Sequence, residues 1–240
     1  MNNKLILTAH QPTYFPWLGT FHKILLADVF CFFDIAQYQK KAWDNRNKIL
    51  TPQGEQWLTV PVRSKNHYSK TIGDIEVNND VPWGKKSFKT LQVVYGNHPY
   101  YKIHKEFLEN VYLDCSWKKL CDLNIFIYKY ILKNLNSDVK IVKASDYNFK
   151  GQKSDLVLDM CKKLQADTYI FGGEGKNYAD ILSFNDNGVH PVFQEYNHPT
   201  YPQHRSKHPF TSHLSTLDLM MNNPPSKLKE IIMQGNLENV

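Results

Sequence analysis

The hydrophobic pattern of the chain alternates short continuous apolar runs with stretches of helical periodicity, as expected of a sheet covered on both faces. Leu5-Ile6-Leu7 is a first strand, and Pro12 and Pro16 forbid its continuation through the polar segment behind it. Across 17–29, Trp17, Leu18, Phe21, Ile24, Leu25 and Val29 recur near helical spacing, so a helix follows. Val29-Phe30-Cys31-Phe32-Phe33 is a second strand, apolar throughout, that stops at Asp34. The segments 48–51 and 56–60 flank Pro52-Gln53-Gly54 and predict a β-hairpin. From 83 to 135 the periodicity is helical, with breaks near Gly96-Asn97-His98-Pro99 and Asp114-Cys115-Ser116, which predicts three helices.

The strand and helix rhythm returns with Val139-Lys140-Ile141-Val142 and a helix over 154–164 opened by Ser154. Thr168-Tyr169-Ile170-Phe171 is then a strand running into Gly172-Gly173-Glu174-Gly175, and 189–193 is another strand. The tail 214–222 is a helix with Leu214, Leu217 and Met221 on one face and Asp218 off it, either tied to a buried partner or exposed. These elements predict an α/β fold with a mostly parallel, Rossmann-like or HUP-like sheet, a β-hairpin and a helical insertion over 82–136, all within one domain spanning 1–240.

Composition narrows the class. At 240 residues the chain can bury a core without disulfides, and Cys31, Cys115, Cys121 and Cys161 form no CxxC pair, which fits a reducing cytoplasm. No signal-type segment or run of about 18 apolar residues occurs, so no membrane is expected. The net charge of +6 favours acidic ligands, but no RGG, RNP or long basic block points to DNA. The basic run 63–70 reads as a solvated loop, and the aromatics between 100 and 130, at helical spacing, as core.

The candidate chemistry gathers where strands end. His10 and Gln11 lie between the first strand and the first helix, the crevice where α/β sheets bind ligands. If the first two strands are parallel neighbours, Asp34, Gln37 and Arg46 come up beside His10, and these residues are expected to share one pocket. The Gly172–Gly173–Gly175 turn lets a backbone approach an anion closely, and with Tyr178 and the 198–203 loop it is expected to face the same pocket. His198, His204, His208 and His213 invite a zinc reading, but their spacing is irregular and prolines interrupt it, so no metal is predicted.

Taken together the segments resemble the WbqC-like family of surface-polysaccharide and O-antigen proteins. The resemblance rests on His10-Gln11-Pro12 with Tyr14-Phe15-Pro16-Trp17-Leu18-Gly19, Lys23-Ile24 with Ala27-Asp28, Asp34 with Gln37-Tyr38, and Trp43 with Asn45-Arg46-Asn47. Trp57-Leu58-Thr59-Val60-Pro61-Val62, the glycine turn with Tyr178, His198-Pro199 with Tyr201 and Gln203, and Leu214-Ser215 with Leu217-Asp218-Leu219 and Asn222 extend it over nearly the whole chain. The family usually opens the turn with serine and glycine where this chain has Gly172-Gly173, and follows the last asparagine with glycine where it has Asn223. The resemblance implies cytoplasmic work on an activated sugar, including transfer of an aminoacyl group such as glycine to an amino sugar.

The reading that follows is an N-acyltransferase acting on the amine of a nucleotide-linked amino sugar. His10 is the expected base, because imidazole is the side chain suited to taking a proton near pH 7, with Asp34 orienting it or holding the amine. Gln11, Asn45, Tyr14, Trp17, Gln37, Tyr38, Tyr178, His198, Tyr201 and Gln203 are the expected substrate contacts. Arg46 offers a fork for a pyrophosphate or carboxylate, and Gly172, Gly173 and Gly175 offer N–H groups to a phosphate or oxyanion. No acetyl-CoA signature or other cofactor is expected. The donor is a carrier-protein thioester, an aminoacyl-tRNA, or an amino acid with ATP. Two alternatives remain: nucleotidyl transfer on a HUP-like fold, although the His-x-Gly-His motif is missing, and a non-catalytic module that binds a carrier protein or partner enzyme.

Overall fold

The computed structural model describes residues 4–114, 116–204 and 209–235. In chain order the main elements begin with β1 (Ile6–His10), α1 (Leu18–Leu25), β2 (Val29–Phe32), β3 (Arg46–Thr51) and β4 (Gly54–Thr59). The helices α2 (Trp83–Tyr95), α3 (Tyr101–Glu109) and α4 (Leu120–Asn134) follow. Then come β5 (Lys140–Lys143), α5 (Lys153–Leu164), β6 (Thr168–Phe171), α6 (Ile181–Asp186), β7 (His190–Phe193), α7 (Thr216–Asn222) and α8 (Pro225–Met233).

Five strands form one sheet in the order β5-β2-β1-β6-β7, every neighbouring pair parallel, while β3 and β4 pair antiparallel as a separate hairpin. Counted along the chain, the sheet order is 3-2-1-4-5, the doubly wound arrangement, and it reverses between β1 and β6. The carboxyl ends of those two strands therefore open a crevice that no crossover connection covers.

β2 shows why its sequence is apolar throughout. Phe30 and Phe32 enter the core shared with Phe21 and Ile24 of α1 and Ile127 and Tyr128 of α4. Val29 and Cys31 face the opposite core, with Leu158 and Cys161 of α5 and Phe184 of α6. Burying a side chain of this size is worth about 1.5–3 kcal/mol. Tyr128 stacks on Phe30 at 5.7 Å, so α4 packs directly onto the sheet.

Several boundaries differ from the sequence expectation. β1 continues through Thr8 to His10, because the Thr8 hydroxyl donates to the Ile170 carbonyl of β6 at 2.8 Å and so satisfies a polar group inside the sheet. α1 ends at Leu25, short of the predicted helix. In the hairpin Pro52 and Gln53 alone form the loop, with Gly54, at φ 107°, opening β4 opposite Thr51. α6 and α8 were not anticipated; α8 starts at a proline and buries Leu228 and Ile232. Cys31, Cys121 and Cys161 are buried free thiols, and Cys115 lies outside the described residues. Among the described residues no helix is long and apolar enough to cross a membrane.

Candidate functional site

The last residue of β1 is the hinge of the site. His10 Nδ1 lies 2.8 Å from the Gln11 carbonyl, so the proton belongs on Nδ1 and Nε2 carries the lone pair. Burial is the main reason the His10 imidazole is pulled down to about 4, and the nearby Lys23 charge lowers it further. The ring is neutral at pH 7.

Behind it the chain makes a sharp excursion. Phe15 is fully buried with φ 42°, a left-handed conformation that a bulky residue adopts only when its surroundings impose it. Asn47 imposes it here: its amide donates to the carbonyls of Tyr14 and Phe15 at 3.2 and 2.7 Å. The excursion delivers Trp17 to the start of α1, with its indole directly over Gly19. A Cβ at Gly19 would lie 2.3 Å from that ring, so glycine is required there.

Two cavities meet at His10. The smaller, about 250 Å³, is walled by Trp17, Trp43 and His213, with Thr13, Thr20 and Asn47 as polar groups. Thr20 is 3% exposed and its hydroxyl has no partner among the described residues. The larger, about 510 Å³, lies at the carboxyl edge of β1 and β6, between Gln11, Lys23, Gly172 and Tyr178, over a floor that includes Met160 and Phe171. It occupies the reversal point of the strand order.

Lys23 reaches this edge from α1. It is 4% exposed, its ammonium donates to the Ala9 carbonyl at 2.9 Å, and burial lowers it to about 8. Next to the ammonium, the three glycines of the 172–175 turn separate into two kinds. Gly175 is needed by the fold, because a Cβ there would come 2.4 Å from Phe171 Cβ. Gly172 is not: its backbone is extended at φ −70°, ψ 171°, and an added Cβ would meet only Lys23 Nζ, at 3.9 Å. Gly173 is similarly open.

The remaining expected contacts divide sharply. Asp34 does not come up beside His10. Its carboxylate accepts from Ser145 N and Oγ just beyond β5 at 2.9 and 2.7 Å, although Phe33 before it still donates to the His10 carbonyl at 2.9 Å, and it lines a separate pocket with Lys119 and Lys143. Arg46 is committed as well, donating to the Lys41 carbonyl and lying over the Trp57 ring at 4.1 Å, outside both cavities. Trp57 in turn touches Trp43, at 5.1 Å.

Tyr14 is fully buried and bonded to the Tyr112 hydroxyl, so it is a core residue and not a substrate contact. Tyr38 and Asn45 are buried against each other and the Val60 carbonyl, and Gln37 ties the outer loop by donating to Tyr68 O. Tyr201 and Gln203 both donate to Asp218, at 3.0 and 2.9 Å, and are structural. His198 packs on Trp17 at 6.3 Å, behind the smaller cavity; its Nδ1 is held by the Pro199 carbonyl at 2.9 Å, and burial lowers its pKa.

Thus His10, Gln11, Trp17, Gly172, Gly175 and Tyr178 are brought together, whereas Asp34 and Arg46 are not. Lys23, Thr20, Trp43, Asn47 and His213 were missed as site residues. Lys23 had a signal only in the family resemblance, because helical periodicity sets it opposite the stripe of Leu18, Phe21, Ile24 and Leu25. His213 had been considered only as a metal ligand. Among the described residues no group of three or more His, Cys, Asp or Glu is placed to hold a metal ion, and His208 lies outside them.

The WbqC-like protein family matches residues 11–230. An uncharacterised protein of Mycobacterium tuberculosis, Rv1507c, is 28% identical over 213 residues, covering 88% of this chain and 91% of that one. No solved structure matches the chain. The chain belongs to the WbqC-like family.

Proposed function

We propose that this WbqC-like protein is an N-acyltransferase that joins an acyl or aminoacyl group to the amine of a nucleotide-linked amino sugar. One observation carries the reading: His10 stands in the wall common to two cavities, with its Nδ1 proton engaged and its Nε2 open. A transferase needs two reactants to meet at one group that moves a proton, and this arrangement supplies it.

The chemistry follows from the state of that ring. The desolvated surroundings favour the uncharged form of the incoming amine. Attack of its nitrogen on the acyl carbon forms the C–N bond and leaves the nitrogen positive in the tetrahedral adduct. That N–H is far more acidic than the free ammonium, so a weak base such as His10 suffices to accept its proton at Nε2. Breakdown of the adduct then breaks the bond to the leaving group, and His10 returns the proton to it. Gln11, at the exposed rim of the larger cavity, is placed to hold sugar hydroxyls. The donor is a carrier-protein thioester, an aminoacyl-tRNA, or an amino acid activated with ATP.

His10→Asn is the test. Asparagine keeps a hydrogen-bonding group but loses the base, so transfer, followed by mass spectrometry with each donor, should fall about 10²–10⁴-fold while nucleotide-sugar binding persists. Turnover retained in His10→Asn would move the base elsewhere, with His198 next. Absence of transfer by the wild type with all three donors would favour a binding module, in which the exposed Trp43 and Trp57 would form the interface.

A further inference from the structure

The larger cavity holds a feature that the transfer chemistry leaves unused. Lys23 carries its ammonium to the cavity wall at a position only 4% exposed, and among the described residues no carboxylate lies within ion-pair distance of it. A buried cation normally has a counter-charge, since taking it out of water costs several kcal/mol. Beside it stands Gly172, where an added Cβ would lie 3.9 Å from the ammonium and whose missing side chain is demanded neither by backbone conformation nor by packing. The nearest acid in the wall, Glu174, turns its carboxylate to the Asn177 amide at 2.7 Å. Past this pair the cavity becomes apolar and aromatic, with Met160, Val157 and Tyr178. A volume of about 510 Å³ is in the range of small-molecule sites.

We infer that the Lys23–Gly172 wall is the phosphate seat of a nucleoside diphosphate or triphosphate site, the phosphates lying against the ammonium and over the open glycine beside it, and the nucleoside lying toward Met160 and Tyr178. The site sits at the reversal of the strand order, where doubly wound sheets receive nucleotides. It assigns to Lys23 the anion-holding task that the sequence had suggested for Arg46, whose guanidinium lies outside both cavities against Lys41 O and Trp57. The inference deepens the transferase reading and rests on it for the identity of the nucleotide: the diphosphate is that of the activated sugar, or the triphosphate is that of amino-acid activation.

The experiment is calorimetric titration of the full chain with UDP, dTDP, GDP, CDP, ADP and ATP, with uridine, adenosine and inorganic phosphate as controls. At least one nucleotide should bind tenfold or more tightly than its nucleoside. Preference for a pyrimidine or guanine diphosphate identifies the activated sugar as the source, and preference for ATP identifies donor activation. Lys23→Met should weaken that binding at least tenfold. Gly172→Val, which suits the extended backbone and fills the seat, should do the same with an unchanged melting temperature. Ile103→Ala, exposed on α3 and in neither cavity, should leave the affinity as it was. No binding of any nucleotide by the wild type, or equal binding by Lys23→Met and Gly172→Val, overturns the inference. Transfer assays on the wild type keep the two readings apart: Lys23-dependent nucleotide binding in a wild-type protein that transfers nothing with any donor supports the seat and refutes the transferase, whereas transfer without nucleotide binding does the reverse.

Discussion

Lys23 and Asp218 both stand at almost fully buried positions, 4% and 2% exposed, yet their surroundings differ in kind. Asp218, on α7, accepts from the hydroxyls of Tyr95 and Tyr201 at 3.3 and 3.0 Å and from the Gln203 amide at 2.9 Å. Burial raises its carboxyl above the usual range, and these three donors pull it back. Every partner it needs is supplied by the chain, and the result ties α2, the 198–213 loop and α7 together. Among the described residues Lys23 has one carbonyl and no counter-charge, and it lines a cavity. A buried charge that is satisfied internally holds the fold, whereas one left short is kept for a ligand at some cost in stability.

The largest expected effect breaks the satisfied side. Asp218→Ala leaves two hydroxyls and an amide buried without an acceptor, and should lower unfolding stability by about 2–5 kcal/mol in urea melts. Nucleotide affinity of the molecules that remain folded should be unchanged, because Asp218 faces neither cavity at His10. Loss of affinity would mean that the two regions are coupled.

Lys23→Met is the opposite change. Replacing an unpaired buried charge with an apolar side chain of similar length should raise stability by about 1–3 kcal/mol while removing the nucleotide seat. A melting temperature below that of the wild type would show that Lys23 serves the fold.

The same contrast has a pH signature. The folded Lys23 pKa of about 8 is below the ordinary lysine value of 10.5, so between these values the unfolded chain binds more protons than the folded one. Stability of the wild type should therefore rise with pH across that window, and the advantage of Lys23→Met should shrink from pH 7 to pH 9.5. Melts of both proteins at the two pH values measure it, and a constant difference would show that Lys23 is not the titrating group.

Tyr201→Phe sharpens the comparison with the smallest step. It removes one of the three donors to Asp218 and should cost about 1 kcal/mol, with no effect on transfer. An effect on turnover would return the 198–203 loop to the site.

His10 was legible in the sequence because a strand, a proline-rich break and a helix follow one another, and the polar residues between a strand end and a helix start fall at the ligand-binding edge of such a sheet. Gly172 was visible for a similar reason, at the end of the strand 168–171. Asp34 and Arg46 misled because their nearness to a strand end was read as nearness to His10. The direction in which the chain leaves β2 depends on β5, whose Ser145 loop takes the Asp34 carboxylate. Tyr14, Tyr38 and Asn45 misled because aromatic and amide residues serve the core and a ligand equally well, and only burial separates the two uses.

The sequence by itself determined the strands, most of the helices, the α/β class and the family resemblance, since these rest on apolar periodicity and local motifs, which neighbouring residues settle among themselves. The tertiary structure decided the strand order, the placement of His10 between two cavities, the open space at Gly172 and, among the described residues, the lack of a counter-charge at Lys23. Each of these is a relation among segments far apart in the chain. Whether a buried charge has a partner depends on every residue that packs around it, and no local pattern carries that information.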